Sequence, residues 1–366
     1  MTVPFYNFHD LHDEELRNQV KEMIGEIIDN NAFVEGKYNA EFEEKFAKMQ
    51  GAKHCLLLAN GTDALEISLL AYGIKPGDKV GVPGITFHAS AEAVLNVNAE
   101  VVHIDVDPKT GLICPESTER MIKEHDLKAI IPVHIYGLNA PIAELEEVCA
   151  KYDVKIIEDS AQAQGTFYKN GKPVGSSNNL VTFSFYPTKN LGAFGDAGAI
   201  LTNDDELAKK IVVIRNHGRG DDNAYGRNSR CDHMQAAVLV AKLPKIENYN
   251  LQRKEVAKKY HEALKDLSVQ LLPEEYIQSS SWHLYPLQLE SVALREKVQA
   301  HFKEVGIGCT PFYESALVDQ KPIDKCPGEY EVARNFAGKT ICLPMHPFIT
   351  DEDVNFIKEE FKKVLG

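Results

Sequence analysis

Five short apolar runs, at residues 54–58, 79–83, 101–105, 129–133 and 154–158, each stand about one helix length from the next. Runs of this length rich in Val, Ile and Leu read as buried strands, and the helical stretches between them supply the crossovers that parallel strands require. The alternation predicts repeated β-α units around a mainly parallel sheet, an α/β fold. The rhythm changes at 180–185 and 198–201, where two apolar runs are separated only by a Gly-rich turn. These read as adjacent strands with no helix between them.

Ahead of the first run, Leu16, Val20, Met23, Ile24, Ile27 and Ile28 recur at three- and four-residue spacing, which predicts an amphipathic helix over 12–30. Beyond 202, helices are expected over 204–215 and 232–243, the second ending at Pro244. A long polar helix to about 267, a strand over 282–289, a helix over 292–304 and a closing helix from Asp351 complete the chain. At 366 residues it exceeds one typical domain. We therefore expect a large domain over 1–244 and a smaller α+β domain over 245–366, rigidly apposed.

The formal net charge of −14 argues against nucleic acid or an anionic membrane as partner. The opening decapeptide lacks the basic start and apolar run of a signal peptide, and no stretch reaches the roughly 18 apolar residues of a membrane span. Seven cysteines without a Cys-x-x-Cys pair argue against a disulfide framework or a zinc ribbon, so a reduced, cytoplasmic setting is expected. The histidines lack ligand spacing, and no metal is expected. Any anionic ligand must meet a local basic cluster. Arg215, Arg219, Arg227 and Arg230, mixed with Asn216, Asn223 and Asn228, form one, though a solvated loop has the same composition.

Ligands of parallel α/β sheets gather at the carboxyl ends of the strands, so the residues after each run are the candidates. After the first run, Asn60-Gly61-Thr62-Asp63 opens a helix whose free amides suit a phosphate or serve as an ordinary N-cap. After the second, Phe87 offers a ring to a flat heteroaromatic group, or belongs to the core. After the fifth, Asp159 ends a buried strand, where a carboxylate needs a cation: a protonated pyridine nitrogen or a structural salt bridge. Lys189 follows the 180–185 run, and a partly desolvated lysine there has the lowered pKa that Schiff-base chemistry needs. The Gly192-x-x-Gly195-x-x-Gly198 spacing is not the dinucleotide fingerprint, and neither a P-loop nor a Gly-x-Ser-x-Gly elbow occurs.

In order, these motifs make a family pattern. Asn60-Gly61-Thr62-Asp63-Ala64-Leu65, Pro83-Gly84-Ile85-Thr86-Phe87, Pro132-Val133-His134-Ile135-Tyr136-Gly137, Ile157-Glu158-Asp159-Ser160-Ala161-Gln162, the segment 184–198, Arg227-Asn228-Ser229-Arg230 and Leu343-Pro344-Met345-His346-Pro347 together resemble the nucleotide-sugar aminotransferases over nearly the whole chain. The resemblance implies a fold-type I enzyme, with a mainly parallel seven-stranded sheet, that uses pyridoxal 5′-phosphate (PLP), with pyridoxamine 5′-phosphate (PMP) as its other form. It implies that Lys189 carries PLP and shuttles protons, Asp159 keeps the pyridine nitrogen protonated, and Gln162 touches the phenolic oxygen. Gly61, Thr62 and Ser184 would bind the phosphate, and Phe87 would cover the ring. Asn228 would reach the phosphate from a neighbouring subunit of a homodimer, while Arg230, Phe312 and Tyr313 would meet the nucleotide sugar.

A subgroup with histidine at the position of Lys189 dehydrates, so lysine points to transamination. The implied reaction moves an amino group from L-glutamate to a keto sugar on a nucleoside diphosphate, most like members acting on 3-keto sugars, for surface polysaccharide or glycoside products. Where many members read His-Tyr-Pro-x-Pro-Leu, this chain has Phe312-Tyr313-Glu314-Ser315-Ala316-Leu317, a difference on the substrate side. A keto-cyclitol or other non-nucleotide substrate is the alternative, and a PLP-holding sensor without turnover is the alternative of another class.

Overall fold

A computed structural model describes residues 1–221 and 225–365. Strands β1 (His54–Leu58), β2 (Lys79–Pro83), β3 (Glu100–Ile104), β4 (Ala129–Ile130), β5 (Lys155–Asp159), β6 (Leu180–Ser184) and β7 (Gly198–Thr202) form one sheet in the order β1-β7-β6-β5-β4-β2-β3. β2 pairs parallel with β3 and β4, β4 with β5, and β5 with β6, while β7 runs antiparallel between β6 and β1. The fold is the α/β class expected. Helices cover both faces, which is why these strands read as near-continuous apolar runs rather than alternating ones. The step without a helix is real: β6 turns directly into β7 with Val181 opposite Leu201 and Ser184 opposite Gly198.

The run at 129–133 supplies only two strand residues, because Pro132 has no N–H to continue the ladder. Its carbonyl still accepts from the Asp159 amide at 2.9 Å, and the His134 amide donates to the Asp159 carbonyl at 2.9 Å. Asp159 is thus clamped at the carboxyl edge of the sheet.

The first long helix runs Glu14–Asp29, capped by the Asp13 carboxylate accepting from the Leu16 amide at 2.8 Å. A second helix, Lys37–Gln50, was not anticipated from its mostly polar sequence. It is held by Phe42 and Phe46, both fully buried, with Phe46 edge-on to Phe183 and Phe185 at 5.1 and 5.2 Å. Aromatic pairs of this kind contribute about 0.5–1.5 kcal/mol beyond the area they bury. Helix Gly61–Tyr72 follows β1 and buries Leu65, Ile67 and Leu69.

Helix His233–Lys242 passes through a tight turn at Leu243–Lys245 into helix Ile246–Leu264. Beyond it lie helices Val292–Val305, Glu331–Lys339 and Asp351–Leu365 and an antiparallel sheet of β8 (Gln270–Leu271), β9 (Tyr285–Gln288) and β10 (Thr340–Leu343), in the order β10-β9-β8. β9 starts later than the expected 282 because Trp282 sits at φ 48°, outside the extended region. One apolar core joins Val102, Ile104 and Ile130 to Val256, Tyr260, Leu287 and Phe302, across position 244. The N-terminus is laced onto the later half, with the Val3 amide donating to Gly306 and the Gly308 amide to Val3. Among the described residues, no helix is long and apolar enough to cross a membrane.

Candidate active site

Because β1, β2, β4, β5 and β6 point the same way, the residues following them share one edge of the sheet. Asp159 ends β5 and is almost wholly buried. Its Oδ2 accepts from Ser90 Oγ at 2.8 Å and its Oδ1 from the Ala161 amide at 3.1 Å. Ser90 Oγ is in turn 2.7 Å from Thr86 Oγ. All these partners are neutral, so a buried carboxylate is oriented without being neutralised, an arrangement that favours an incoming cation.

Lys189 lies five residues beyond β6, in a turn closed by its own amide donating to the Tyr186 carbonyl at 2.8 Å. Part of its side chain stays exposed, yet its amine is deep enough that lost solvation pulls its pKa down to about 8, with attraction to Asp159 opposing. A useful fraction of the amine is therefore neutral near neutral pH, as a nucleophile requires.

Asn60 caps helix Gly61–Tyr72 by accepting from the Asp63 amide at 2.8 Å. The amides of Gly61 and Thr62 precede the first intrahelical acceptor and have no acceptor among the described residues. Gly61 is glycine for a steric reason: a Cβ there would lie 2.7 Å from the Ser184 Cβ. Gly198 likewise admits no side chain, because its Cβ would strike the Asn60 carbonyl. The two glycines bring the helix N-terminus against the Ser184 hydroxyl, making a small anion cradle.

Gln162 Oε1 accepts from the Tyr136 amide at 2.6 Å, and Gln162 Nε2 reaches Tyr313 Oη at 3.4 Å. Burial, and then the nearby Asp159, push the Tyr313 phenol above its ordinary range. Tyr136 Oη donates to the Phe312 carbonyl at 2.6 Å, and Phe312 stacks on Phe5 with centroids 6.0 Å apart. The Phe87 ring is 49% exposed rather than part of the core, and lies 6.2 Å from the Tyr313 ring. Lys189, Asp159, Gln162, Ser184, Gly61, Thr62, Phe87 and Tyr313 therefore share one region.

The Arg/Asn loop separates into two groups. Arg215 pairs with Glu43 at 3.0 Å and Arg227 with Glu66, so these two cations are engaged within the chain. Asn228 is exposed, and its Oδ1 accepts from Arg230 Nη2 at 3.1 Å, while Arg230 Nε is buried without a partner among the described residues. Ser229 Oγ accepts from the Ala59 amide at 3.2 Å, which anchors the loop beside the helix cradle. No hydrogen bond among the described residues ties Asn228 to Lys189, Asp159 or Ser184. Asn223 lies outside the described residues.

Sequence reasoning missed Thr86 and Ser90, which orient Asp159. It also missed the fully buried pair His134–Glu158 at 2.9 Å, with Glu158 immediately before Asp159 in β5. Burial alone would raise the Glu158 pKa, but His134, Ser177 and Asn179 hold it below the usual value. Thr86, His134 and Glu158 stood inside the quoted motifs, and a carboxylate beside Asp159 in an apolar run was the available signal.

The groups present fit PLP. A neutral-capable amine, a buried carboxylate hydrogen-bonded only by neutral donors, an anion cradle and an amide side chain within one region match its aldehyde, ring nitrogen, phosphate and phenolic oxygen. Among the described residues, no cluster of three or more His, Cys, Asp or Glu side chains could hold a metal.

Residues 14–362 match the model of the DegT/DnrJ/EryC1/StrS aminotransferase family. The chain is 36% identical over 370 residues, 98% of each chain, to a pleiotropic regulatory protein of Geobacillus stearothermophilus. It is 36% identical over 357 residues to the UDP-2-acetamido-2-deoxy-3-oxo-D-glucuronate aminotransferase of Pseudomonas aeruginosa, covering 96% of this chain and 98% of that one. Among solved structures, NtdA from Bacillus subtilis with bound cofactor PMP matches with a TM-score of 0.91 and 28% identity, over 100% of this chain and 85% of that one.

Proposed function

The chain belongs to the DegT/DnrJ/EryC1/StrS aminotransferase family, whose members depend on PLP, and from that premise we propose that it aminates the 3-keto group of a nucleotide-linked sugar with L-glutamate as donor. The observation that carries this reading is the pairing of a Lys189 amine lowered to about 8 with the buried Asp159 carboxylate, whose hydrogen-bond donors are neutral. The 3-oxo sugar in the name of the Pseudomonas aeruginosa relative supports the choice of carbon.

When bound, PLP supplies an electron sink for the carbon that exchanges its amino group. Lys189 Nζ would anchor the cofactor's aldehyde carbon and, once freed by the donor amine, take the proton from the donor's α-carbon. Asp159, oriented by Ser90 and Thr86, would hold the proton on the ring nitrogen. Gln162 would fix the phenolic oxygen, and Gly61, Thr62 and Ser184 the phosphate. Phe87 would lie over the ring, with Tyr313 alongside it.

Asn228 and Arg230 would work across a homodimer: Asn228 is exposed, and Arg230 keeps a buried N–H unmatched among the described residues. Arg230, Phe312 and Tyr313 would meet the nucleotide sugar. We place the enzyme in the cytoplasm, where its seven free cysteines are stable, and divide it at residue 244.

The name of the Geobacillus stearothermophilus relative favours a second reading, a regulator that holds PLP without turnover. Lys189, Asp159 and Gln162 together are more than a holding site needs. PMP-loaded protein offered UDP- and dTDP-linked 3-keto sugars tests the proposal. Regeneration of PLP with formation of a 3-amino sugar is expected. No conversion with any of them, while a keto-cyclitol is aminated, would move the substrate outside the nucleotide sugars.

A further inference from the structure

Helix Ile246–Leu264 turns Arg253 inward, where only 5% of the residue is exposed. Its Nη1 donates to the carbonyls of Trp282 at 3.2 Å and Met345 at 2.6 Å. No carboxylate among the described residues lies within ion-pair reach, although buried cations are ordinarily paired. Burial lowers the guanidinium to about 10, still charged at neutral pH. The residue after Met345 is His346, 3% exposed, with neither ring nitrogen hydrogen-bonded among the described residues. The Pro4 carbonyl approaches that ring without meeting hydrogen-bond geometry. A buried donor and acceptor are thus left unmatched beside an unmatched cation, against the rule that buried polar groups are satisfied.

The cluster adjoins the lysine. His283, next to Trp282, is 3.2 Å from Asn190 Oδ1 through its Nδ1, and Asn190 follows Lys189 in the chain. Lys189 and Arg253 both act on the His283 imidazole, adding to the effect of its burial in keeping it neutral. Tyr6 lies beside Thr188 and Arg253, bringing a further hydroxyl. The anionic groups of the reaction proposed above are the cofactor phosphate, the nucleotide diphosphate and the two carboxylates of L-glutamate. The helix cradle suits the cofactor phosphate and Arg230 the diphosphate, which leaves the carboxylates of the amino acid.

Resting on the aminotransferase reading, we propose that Arg253, with His346 beside it, binds a carboxylate of the amino-acid donor. The planar guanidinium fork matches two carboxylate oxygens, and a neutral His346 adds one donor.

The test uses holoenzyme carrying Arg253→Lys, Arg253→Met or His346→Asn. Three readouts are taken: the half-reaction with L-glutamate, the binding of maleate as an unreactive dicarboxylate, and the binding of UDP and dTDP. For Arg253→Lys, kcat/KM for L-glutamate should fall about 100-fold and maleate should bind about 30-fold more weakly, the scale expected when a fork to a buried carboxylate is lost. Arg253→Met should be worse than Arg253→Lys, and His346→Asn milder. Nucleotide binding and the cofactor spectrum should stay at wild-type values. If wild-type protein converts glutamate and the variants match it in conversion and maleate binding, the inference falls while the enzyme reading stands. Losing nucleotide binding and maleate binding together would assign Arg253 a structural role and overturn the inference; should Arg253 variants fail to fold, His346→Asn decides alone. If wild-type protein fails with glutamate, the enzyme reading itself fails, and unchanged maleate binding in the variants then removes this inference too.

Discussion

Ser90 Oγ donates to Asp159 Oδ2 at 2.8 Å, with Thr86 Oγ 2.7 Å behind it. A residue in the first turn of helix Ala89–Asn96, which follows β2, thereby fixes the carboxylate at the end of β5. Removing one hydrogen bond to a buried charge costs about 1.5–3 kcal/mol. Ser90→Ala should slow the glutamate half-reaction about 10-fold or more while PLP remains bound. Single-turnover absorbance measures this, and an unchanged rate would mean that Asp159 needs no such support.

The Lys189 amine, at about 8 instead of 10.5, sets a pH dependence. Only the neutral amine attacks, so covalent uptake of PLP by apoprotein should accelerate as pH rises through about 8. Asp159→Asn removes the charge that favours the ammonium and should move that midpoint lower. The folded state binds fewer protons than the unfolded one between these two values, so this group's destabilisation is complete below about 8 and gone above 10.5. Stopped-flow absorbance against pH is the check, and a midpoint near 10.5 contradicts the burial argument.

Gly61 has no room for a side chain against Ser184. Gly61→Ala should push the helix N-terminus away, weakening PLP retention about 10-fold and costing about 1–3 kcal/mol of stability. Equilibrium dialysis and urea titration separate the two effects.

Glu158 and His134 are both fully buried and 2.9 Å apart. The Ala140 amide donates to His134 Nδ1 at 3.0 Å, so the Nε2–H donates to Glu158, and losing a hydrogen bond to a buried charge costs about 1.5–3 kcal/mol. Glu158→Gln should lower the urea midpoint accordingly. The Glu158 pKa is held below its ordinary value, so its contribution is present at neutral pH and is lost as pH falls through that lowered value.

Mixed dimers of Lys189→Ala and Asn228→Ala subunits should regain about a quarter of wild-type activity, since random pairing makes half the dimers mixed and restores one of their two sites. No recovery would place Asn228 with its own chain's lysine.

The sheet and most of the site were legible because both follow from one-dimensional patterns. Apolar runs spaced by helices enforce parallel strands, and parallel strands put Gly61, Asp159 and Lys189 at one edge. What the sequence hid depends on docking. Helix Lys37–Gln50 carries few apolar residues, and its stability comes from Phe42 and Phe46 meeting Phe183 and Phe185. Ser90 and Asp159, sixty-nine positions apart, meet only through the order β5-β4-β2. Arg253 stood in a helix read as polar, and its burial appears once the carbonyls of Trp282 and Met345 close over it. The Arg loop looked like one basic cluster, but Glu43 and Glu66, distant in sequence, engage two of its arginines.

The most direct test of the account is a single turnover of PLP-loaded protein with L-glutamate, following 2-oxoglutarate and PMP together in wild-type protein and in Lys189→Ala. The account predicts one equivalent of each per site for wild-type protein and no turnover for the variant at matched cofactor loading. Failure of wild-type protein with PLP bound, or equal turnover by Lys189→Ala, would contradict it.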